Sequence, residues 1–345
     1  MKTLAAGLAA LCLFFTTSCG VKSLTMGKAS PEMDEAFKSY INAADSAKVN
    51  IQSVMVIQHG KILEQKWMNG GDPDSVHTMW SVSKTFTAMA VGLAIDEGKL
   101  RLDDRLVSFY PDFEVPDSNF YLKTVTVRDL LTMTCGHDKE PARKSDSLTA
   151  EQLFLSAPIK HIPGSFYLYN SMGTYMLSCI VSKVTGQKVN DYLEDRLWKP
   201  LGIEKPVWDE SPEGYNWGGW GLHLKTIDMA KAGVMLLDKG KWNGKQVIPE
   251  SWVSEMSRWQ TWSKPSGWPI KVIMDTHTSR DNNDWLQGYG YQMWLCRHGA
   301  FRADGAHGQF IFIFPDKDAV IVNTAMSEAY QGQIDLMWKY LYPVL

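Results

Sequence analysis

Trp80-Ser81-Val82-Ser83-Lys84-Thr85-Phe86-Thr87-Ala88-Met89-Ala90 places a serine and a lysine three residues apart at the head of an apolar run. The run continues through Val91, Leu93, Ala94 and Ile95 and stops at Gly98. Small or apolar residues at nearly every position predict a buried helix, with Gly98 where a left-handed cap would end it. Positions i and i+3 share a helix face. Ser81 Oγ and the Lys84 amine are therefore expected side by side at a helix N-terminus, whose partial positive charge favours anions. A lysine in such a helix is rarely without a partner. Desolvated and neutral, it can take the serine proton while the oxygen attacks a carbonyl. Ser-x-x-Lys is also a cheap pattern, so the reading depends on what else the chain supplies.

The 345 residues suffice for one large domain or two small ones, and 45% apolar content with 14 tryptophans supports a sizeable core. The formal charge of −3 and the absence of any basic block argue against a nucleic-acid partner. Met1-Lys2 followed by an apolar Leu4–Phe15 reads as a signal peptide, too short to span a membrane. Thr16-Thr17-Ser18-Cys19-Gly20 resembles a bacterial lipoprotein processing site, with Thr where Leu is usual at the third position before the cysteine. That resemblance implies cleavage before Cys19, lipid attachment there, and a place on the membrane surface outside the cytoplasm, periplasmic or at the cell surface. An ordinary secretory signal is the alternative. The boundaries expected are 1–18 for the signal peptide, 19–31 for a polar tether and 32–345 for the folded domain. Beyond Cys12 and Cys19, Cys135, Cys179 and Cys296 are too few for a disulfide scaffold.

Along the chain, Glu32 to Ala44 reads as an amphipathic helix, and Ile51–Gln58 and Ile62–Trp67 as a hairpin turning at His59-Gly60-Lys61. Helices are expected at Val125–Leu131, Ala150–Leu155, Met172–Val184, Val189–Leu201 and Thr226–Leu237. Trp252, Trp259 and Trp262 are at near-helical spacing, and 263–283 reads as an irregular excursion or lid. Strands return at Tyr289–Leu295, Phe310–Phe314 and Ala319–Asn323, before a closing helix over Gln333–Tyr342. The fold class expected is α/β (α+β): an antiparallel sheet assembled from about 48–70 and 288–345, flanked by helices, with a mainly helical region at about 76–284.

An activated serine needs a second proton-handling group and an oxyanion hole. Tyr169, after the Pro163-Gly164 turn and just before a helix, is the candidate for the first; packing with Phe166, Tyr167 and Tyr175 is its simpler reading. A phenol near cationic or helix-terminal groups is expected to lose its proton more easily than usual. The glycines of Gly214–Leu222 permit close backbone approach, and Trp217, Trp220 and Trp259 are candidates for pocket walls or for core. No metal-ligand cluster or phosphate-cradling loop is evident, so neither metal nor cofactor is expected.

With these motifs in order, the chain from about Ile51 onward resembles the penicillin-recognising serine hydrolases: class C β-lactamases, serine DD-peptidases, family VIII esterases and 6-aminohexanoate-dimer hydrolases. Ser81 to Lys84 matches the first motif. Val125 to Gly136 resembles the family's T-x-R-D-L-L-T-H-T-S-G segment, and Tyr169 lies where Tyr-x-Asn begins. Gly305-Ala306-His307-Gly308-Gln309 resembles the third-motif strand of the esterase and aminohexanoate-hydrolase branch. The resemblance implies a β-lactamase/transpeptidase-like fold and an acyl-enzyme on Ser81. It implies Lys84 as base, Tyr169 as proton carrier, and the N–H groups of Ser81 and Ala306 as oxyanion hole. Asn170, Ser171, Trp217, Trp220, Gly305 and His307 are the substrate-side candidates; His307 could be read as a general base, but a rim or structural histidine in a Gly-flanked turn is its simpler reading. Two departures matter. Ser171 holds the motif asparagine's position, with Asn170 beside it. Ala303 and Asp304 precede Gly305 where β-lactamases and DD-peptidases carry Lys-Thr or His-Thr, so the cation that greets a substrate carboxylate is missing. The expectation is a serine hydrolase for small esters or amides. A cell-wall DD-peptidase or β-lactamase, or a non-catalytic sensor or binding lipoprotein, are the alternatives.

Overall fold

A computed structural model describes residues 23–263 and 279–345. The expected signal peptide, Cys19 and most of the expected lid lie outside the described residues. Strands are β1 Thr25–Met26, β2 Ile51–Gln58, β3 Lys61–Trp67, β4 Val76–Thr78, β5 His223–Lys225, β6 Lys241–Trp242, β7 Lys245–Gln246, β8 Trp294–Leu295, β9 Phe301–Gly305, β10 Gln309–Phe314 and β11 Ala319–Ala325. The α-helices are α1 Pro31–Ser46, α2 Ser83–Asp96, α3 Val127–Leu131, α4 Ala150–Ser156, α5 Ser171–Thr185, α6 Val189–Leu193, α7 Lys199–Leu201, α8 Thr226–Leu237, α9 Glu250–Ser257 and α10 Tyr330–Leu336.

One sheet organises the chain, in the order β1-β3-β2-β11-β10-β9-β8. All its pairings are antiparallel except β1 with β3. Its strands β10 and β11 are buried at every position and mostly apolar because both faces are covered. In β10, Phe310, Phe312 and Phe314 point into a core with Phe37 and Tyr40 of α1 and Ile334 of α10. Ile311 and Ile313 point the other way, into the larger core with Phe86 of α2 and Met229 of α8. The two-residue period of a strand thus assigns each side chain to one of two hydrophobic layers.

Some elements differ from the sequence expectation. Within the stretch expected to be a tether, Thr25–Met26 instead adds an edge strand to the hairpin. The alternating Tyr289–Leu295 stretch is a strand only at β8, because Gln292 has a φ of 57° and donates its backbone and side-chain N–H groups to Leu130 and Leu131 carbonyls. The tryptophan-spaced helix ends at Ser257, where Arg258 turns extended. Trp252 alone is buried, donating to the Ala88 carbonyl at 2.9 Å, whereas Trp259 and Trp262 are exposed. The remaining expected helices form within a few residues of their predicted ends, and Thr126 and Thr149 open α3 and α4 with capping boxes.

Phe312, fully buried between α1, α10 and the sheet, is expected to cost about 3–5 kcal/mol of unfolding free energy when changed to Ala. Phe120→Ala, at a side chain 61% exposed, is expected to stay within ~0.5 kcal/mol. Urea unfolding of the two variants checks this; equal losses would contradict the layer assignment.

Candidate active site

Ser81 lies in a single turn of 3-10 helix, Trp80–Val82, that runs directly into α2. The turn is forced. Trp80 is held at a φ of 47°, a left-handed conformation that costs a non-glycine residue about 1–2 kcal/mol. Two anchors hold the segment before it. Met79 N–H donates to the Leu222 carbonyl at 2.7 Å. The Met79 carbonyl lies so close to Gly305 that a Cβ there would sit 2.3 Å from the oxygen. Glycine at 305 is therefore a requirement of the close approach of β9 to the Ser81 turn.

Lys84 is 1% exposed, and its Nζ makes three contacts: Ser81 Oγ at 2.9 Å, Ser171 Oγ at 3.1 Å and the Gly219 carbonyl at 2.6 Å. Gly219 is another enforced approach, since a Cβ on it would stand 2.5 Å from the Ser171 carbonyl. Burial pushes the Lys84 amine down from 10.5 to about 7; Glu140 and Asp304 oppose the shift and Arg143 adds to it. An amine poised there exchanges its proton near neutrality. When neutral it offers two N–H donors and one lone pair. The Gly219 carbonyl can only accept, so a hydroxyl, Ser81 or Ser171, must donate to the lone pair.

Tyr169 is half-buried beside this pair. Lys84 Nζ lies 4.9 Å from its ring centroid, and the ring stacks on Trp294 at 5.5 Å. Burial raises its pKa well above the usual value and outweighs the pull of the neighbouring Ser81 side chain towards the phenolate. The expectation of an easily ionised phenol is therefore reversed: Tyr169 is a protonated donor at ordinary pH.

Ser81, Tyr169, Ser171, Trp220 and Ala306 line one cavity of about 140 Å³. The other substrate-side candidates do not form its wall. Asn170 instead caps α5, its Oδ1 accepting from Gly173 N–H at 3.1 Å. Trp217 stacks between Tyr175 and Trp220, behind the wall. His307 sits at the rim, its Nδ1 2.8 Å from Glu328 and its ring edge-on to Trp80. Gly305 acts through its contact with Met79, and the exposed Trp259 packs on Trp262.

The cavity also holds residues that the sequence reading did not single out as ligands: Glu140, Arg143, Trp285, Trp294 and Asp304. Glu140 accepts from Ser171 N–H at 3.0 Å, at the α5 N-terminus, and pairs with Arg143 at 3.2 Å. Arg143 in turn lies over the Trp220 ring at 4.5 Å. Asp304 accepts from Arg302 Nε at 2.7 Å; burial raises its carboxyl to about 6 against the pull of Arg302 and Lys84. The sequence signal for Asp304 was its place before Gly305. Glu140 carried none, because its approach depends on the loop after α3.

The Beta-lactamase family matches residues 44–330 of the chain. The chain is 24% identical over 288 residues to 6-aminohexanoate-dimer hydrolase of Paenarthrobacter ureafaciens, a match covering 78% of this chain and 70% of that protein. Among solved structures, a penicillin-binding protein homologue from Caulobacter crescentus aligns over 92% of this chain and 99% of its own, at 14% identity and a TM-score of 0.69. A family VIII carboxylesterase aligns over 93% and 99%, at 17% identity and a TM-score of 0.66. These structural likenesses concern the fold.

The Lys84 shift has a stability consequence. Between about pH 7 and 10.5 the unfolded chain binds a proton at Lys84 that the folded chain does not. The folded state is thus relieved of the charge penalty above about 10.5, and that relief is lost as pH falls to about 7. The stability of wild type relative to Lys84→Met should therefore climb with pH across this window and be flat below it. Urea unfolding of both proteins at stepped pH measures this, and a constant difference throughout would refute the depressed amine.

Proposed function

Since this chain belongs to the Beta-lactamase family, we propose that it is a serine hydrolase that cleaves small esters or amides through an acyl-enzyme on Ser81. The observation that carries the reading is the buried amine of Lys84, 2.9 Å from Ser81 Oγ and poised near pH 7. In the proposed cycle the neutral amine takes the Ser81 proton as Oγ bonds to the substrate carbonyl carbon. The negative charge moves to the carbonyl oxygen, between the N–H groups of Ser81 and Ala306. The bond to the leaving oxygen or nitrogen then breaks as Tyr169, protonated and sharing the cavity with Ser81, passes it a proton. Tyr169 is reprotonated from Lys84. Water repeats the sequence on the acyl-enzyme and frees the acid.

Named activities of relatives are compatible with this class: one is called a 6-aminohexanoate-dimer hydrolase, another a family VIII carboxylesterase. Two local features favour the ester or amide reading over its alternatives. Asp304 puts a carboxylate in the cavity wall where a penicillin or peptide carboxylate would need a cation. Ser171 Oγ, 3.1 Å from Lys84 Nζ, occupies the place of the motif asparagine with a group able to serve the same amine, which supports a catalytic over a non-catalytic reading. The lipid anchor at Cys19 belongs to the same proposal; Cys19→Ser is expected to move the protein from the membrane fraction to the soluble one, and an unchanged distribution would refute the anchor.

A fluorophosphonate probe and p-nitrophenyl acetate test the chemistry. Wild type is expected to label and turn over, with kcat/KM rising with pH along a titration centred near 7. Ser81→Ala and Lys84→Met should lose at least a hundredfold. Labelling that persists in Ser81→Ala would place the nucleophile elsewhere.

A further inference from the structure

The chain is already held to the domain at Leu24. That side chain packs on the larger core, and Thr25 pairs with Lys61 in parallel register. Gly27 N–H donates to the Ile62 carbonyl at 2.8 Å, and the Lys61 amine donates to Thr25 Oγ1 at 2.8 Å. Only Gly20, Val21 and Lys22 separate Ser23 from Cys19. Four residue steps span at most about 14 Å. A lipid anchor at Cys19 therefore holds this corner of the sheet within about 14 Å of a membrane surface.

The corner has the chemistry for that neighbour. Lys61 and Lys241 share a surface depression with Thr25, in which Asp238 is the one lining carboxylate. Lys245 is exposed and stands across the β6–β7 hairpin from Trp242. Nearby, Glu250 is engaged by Lys239 at 3.4 Å and Asp318 by His59 at 2.8 Å. The balance of charge here is positive, on a chain whose net charge is −3. Met26, 56% exposed, adds an apolar side chain beside the lysines.

Strand register fixes where the catalytic cavity lies relative to this corner. Thr25 stands in one row with Lys61, Gln58, Ala319 and Phe314. Asp304, in the cavity wall, stands in another row with Phe310, Asn323, Val54 and Lys66. The two are five strands apart across the sheet, about 24 Å, and five residues apart along β3, about 17 Å. They occupy diagonally opposite corners, about 30 Å from one another.

We propose that the corner built from β1, the β2–β3 turn and the β6–β7 hairpin rests on an anionic lipid surface, so that the catalytic cavity stands clear of the lipid and draws its substrates from the aqueous compartment. This face depends on the lipid anchor at Cys19 and not on the hydrolase chemistry. Acyl chains supply the attachment and the lysines supply the orientation. Attraction to an anionic leaflet dies away within a Debye length, so it acts on a face held this close and not on the far corner.

The test uses lipidated protein in phosphatidylcholine vesicles with and without phosphatidylglycerol. Cys135, Cys179 and Cys296 are buried, so a nitroxide can be placed selectively on Met26→Cys, Lys245→Cys or Lys144→Cys, the last next to the cavity residue Arg143. On phosphatidylglycerol vesicles, access of a water-soluble nickel chelate is expected to fall at least threefold at the first two positions and to stay unchanged at the third. Lys241→Glu with Lys245→Glu should restore access to the Met26→Cys label without releasing the protein from the vesicles. Equal access at all three positions in protein that still sediments with the vesicles, or protection at Lys144→Cys, overturns the face and leaves the anchor standing. Protection that ignores both phosphatidylglycerol and the charge reversal overturns the headgroup contact. Protein that never sediments overturns the anchor, and the face with it. Vesicle-bound wild type and the lipid-free Cys19→Ser chain are also expected to turn over p-nitrophenyl acetate with the same kcat/KM. A severalfold drop on vesicles would put the cavity against the lipid and overturn the proposal; absence of turnover in both would count against the hydrolase reading alone.

Discussion

The site depends on the cost of keeping one amine out of water. Lys84 sits in the first turn of a helix whose next ten residues, Thr85 to Ala94, are all buried. An ammonium there has no solvent to stabilise it, and desolvation is the dominant cause of its lowered pKa. The surroundings hold it at an intermediate position. Glu140 and Asp304 draw it towards the charged form, and Arg143, bound to Glu140, draws it back. Without the carboxylates the amine would lose its proton more readily still; with them closer it would hold the proton more firmly. Only between these limits does a lysine both accept and return a proton near neutral pH.

The second constraint is geometric. Four segments far apart in sequence meet at that amine: the Ser81 turn, the start of α5, the glycine-rich 218–221 loop, and the end of β9. The contacts that hold them are backbone against backbone. Gly305 admits the Met79 carbonyl, and Gly219 admits the Ser171 carbonyl. Contacts of this kind leave little room for relaxation, which is what allows Trp80 to be kept in a left-handed conformation. The strain falls on the residue that presents Ser81, and the sheet, covered on both faces, is the rigid element that sustains it.

The sequence revealed what local pattern encodes. Apolar and β-branched runs marked the central strands, caps and glycines marked the helices, and motif order placed Ser81, Lys84, Tyr169, Ser171 and Ala306 near one another. Long-range packing decided the rest. Phe301–Gly305 mixes charged and small residues and carries no continuous apolar run, yet it becomes a buried strand through pairing with β10. Asn170 and Ser171 are adjacent polar residues at a helix start; which one caps and which one faces inward is fixed by helix phase. Trp285 and Trp294 were indistinguishable from core tryptophans, since they are buried whether or not a cavity opens beside them.

That exchange at 170 and 171 bears on how a site tolerates losing its motif asparagine. A neutral Lys84 amine has two hydrogens and one lone pair, and three oxygens around it. One of these, the Gly219 carbonyl, is fixed as an acceptor. If Ser81 donates its proton to the lone pair, as attack requires, Ser171 must accept an N–H. If the amine is protonated, Ser171 still accepts. In the resting neutral state Ser171 can donate instead and leave Ser81 free to orient towards Tyr169. A hydroxyl meets all three demands by rotating about one bond, whereas an amide presents a fixed oxygen and a fixed nitrogen and would have to flip between roles. The serine therefore fits the proton bookkeeping of the site. What it gives up is the longer amide's reach towards the substrate, on a wall where Asp304 already supplies an oriented polar group.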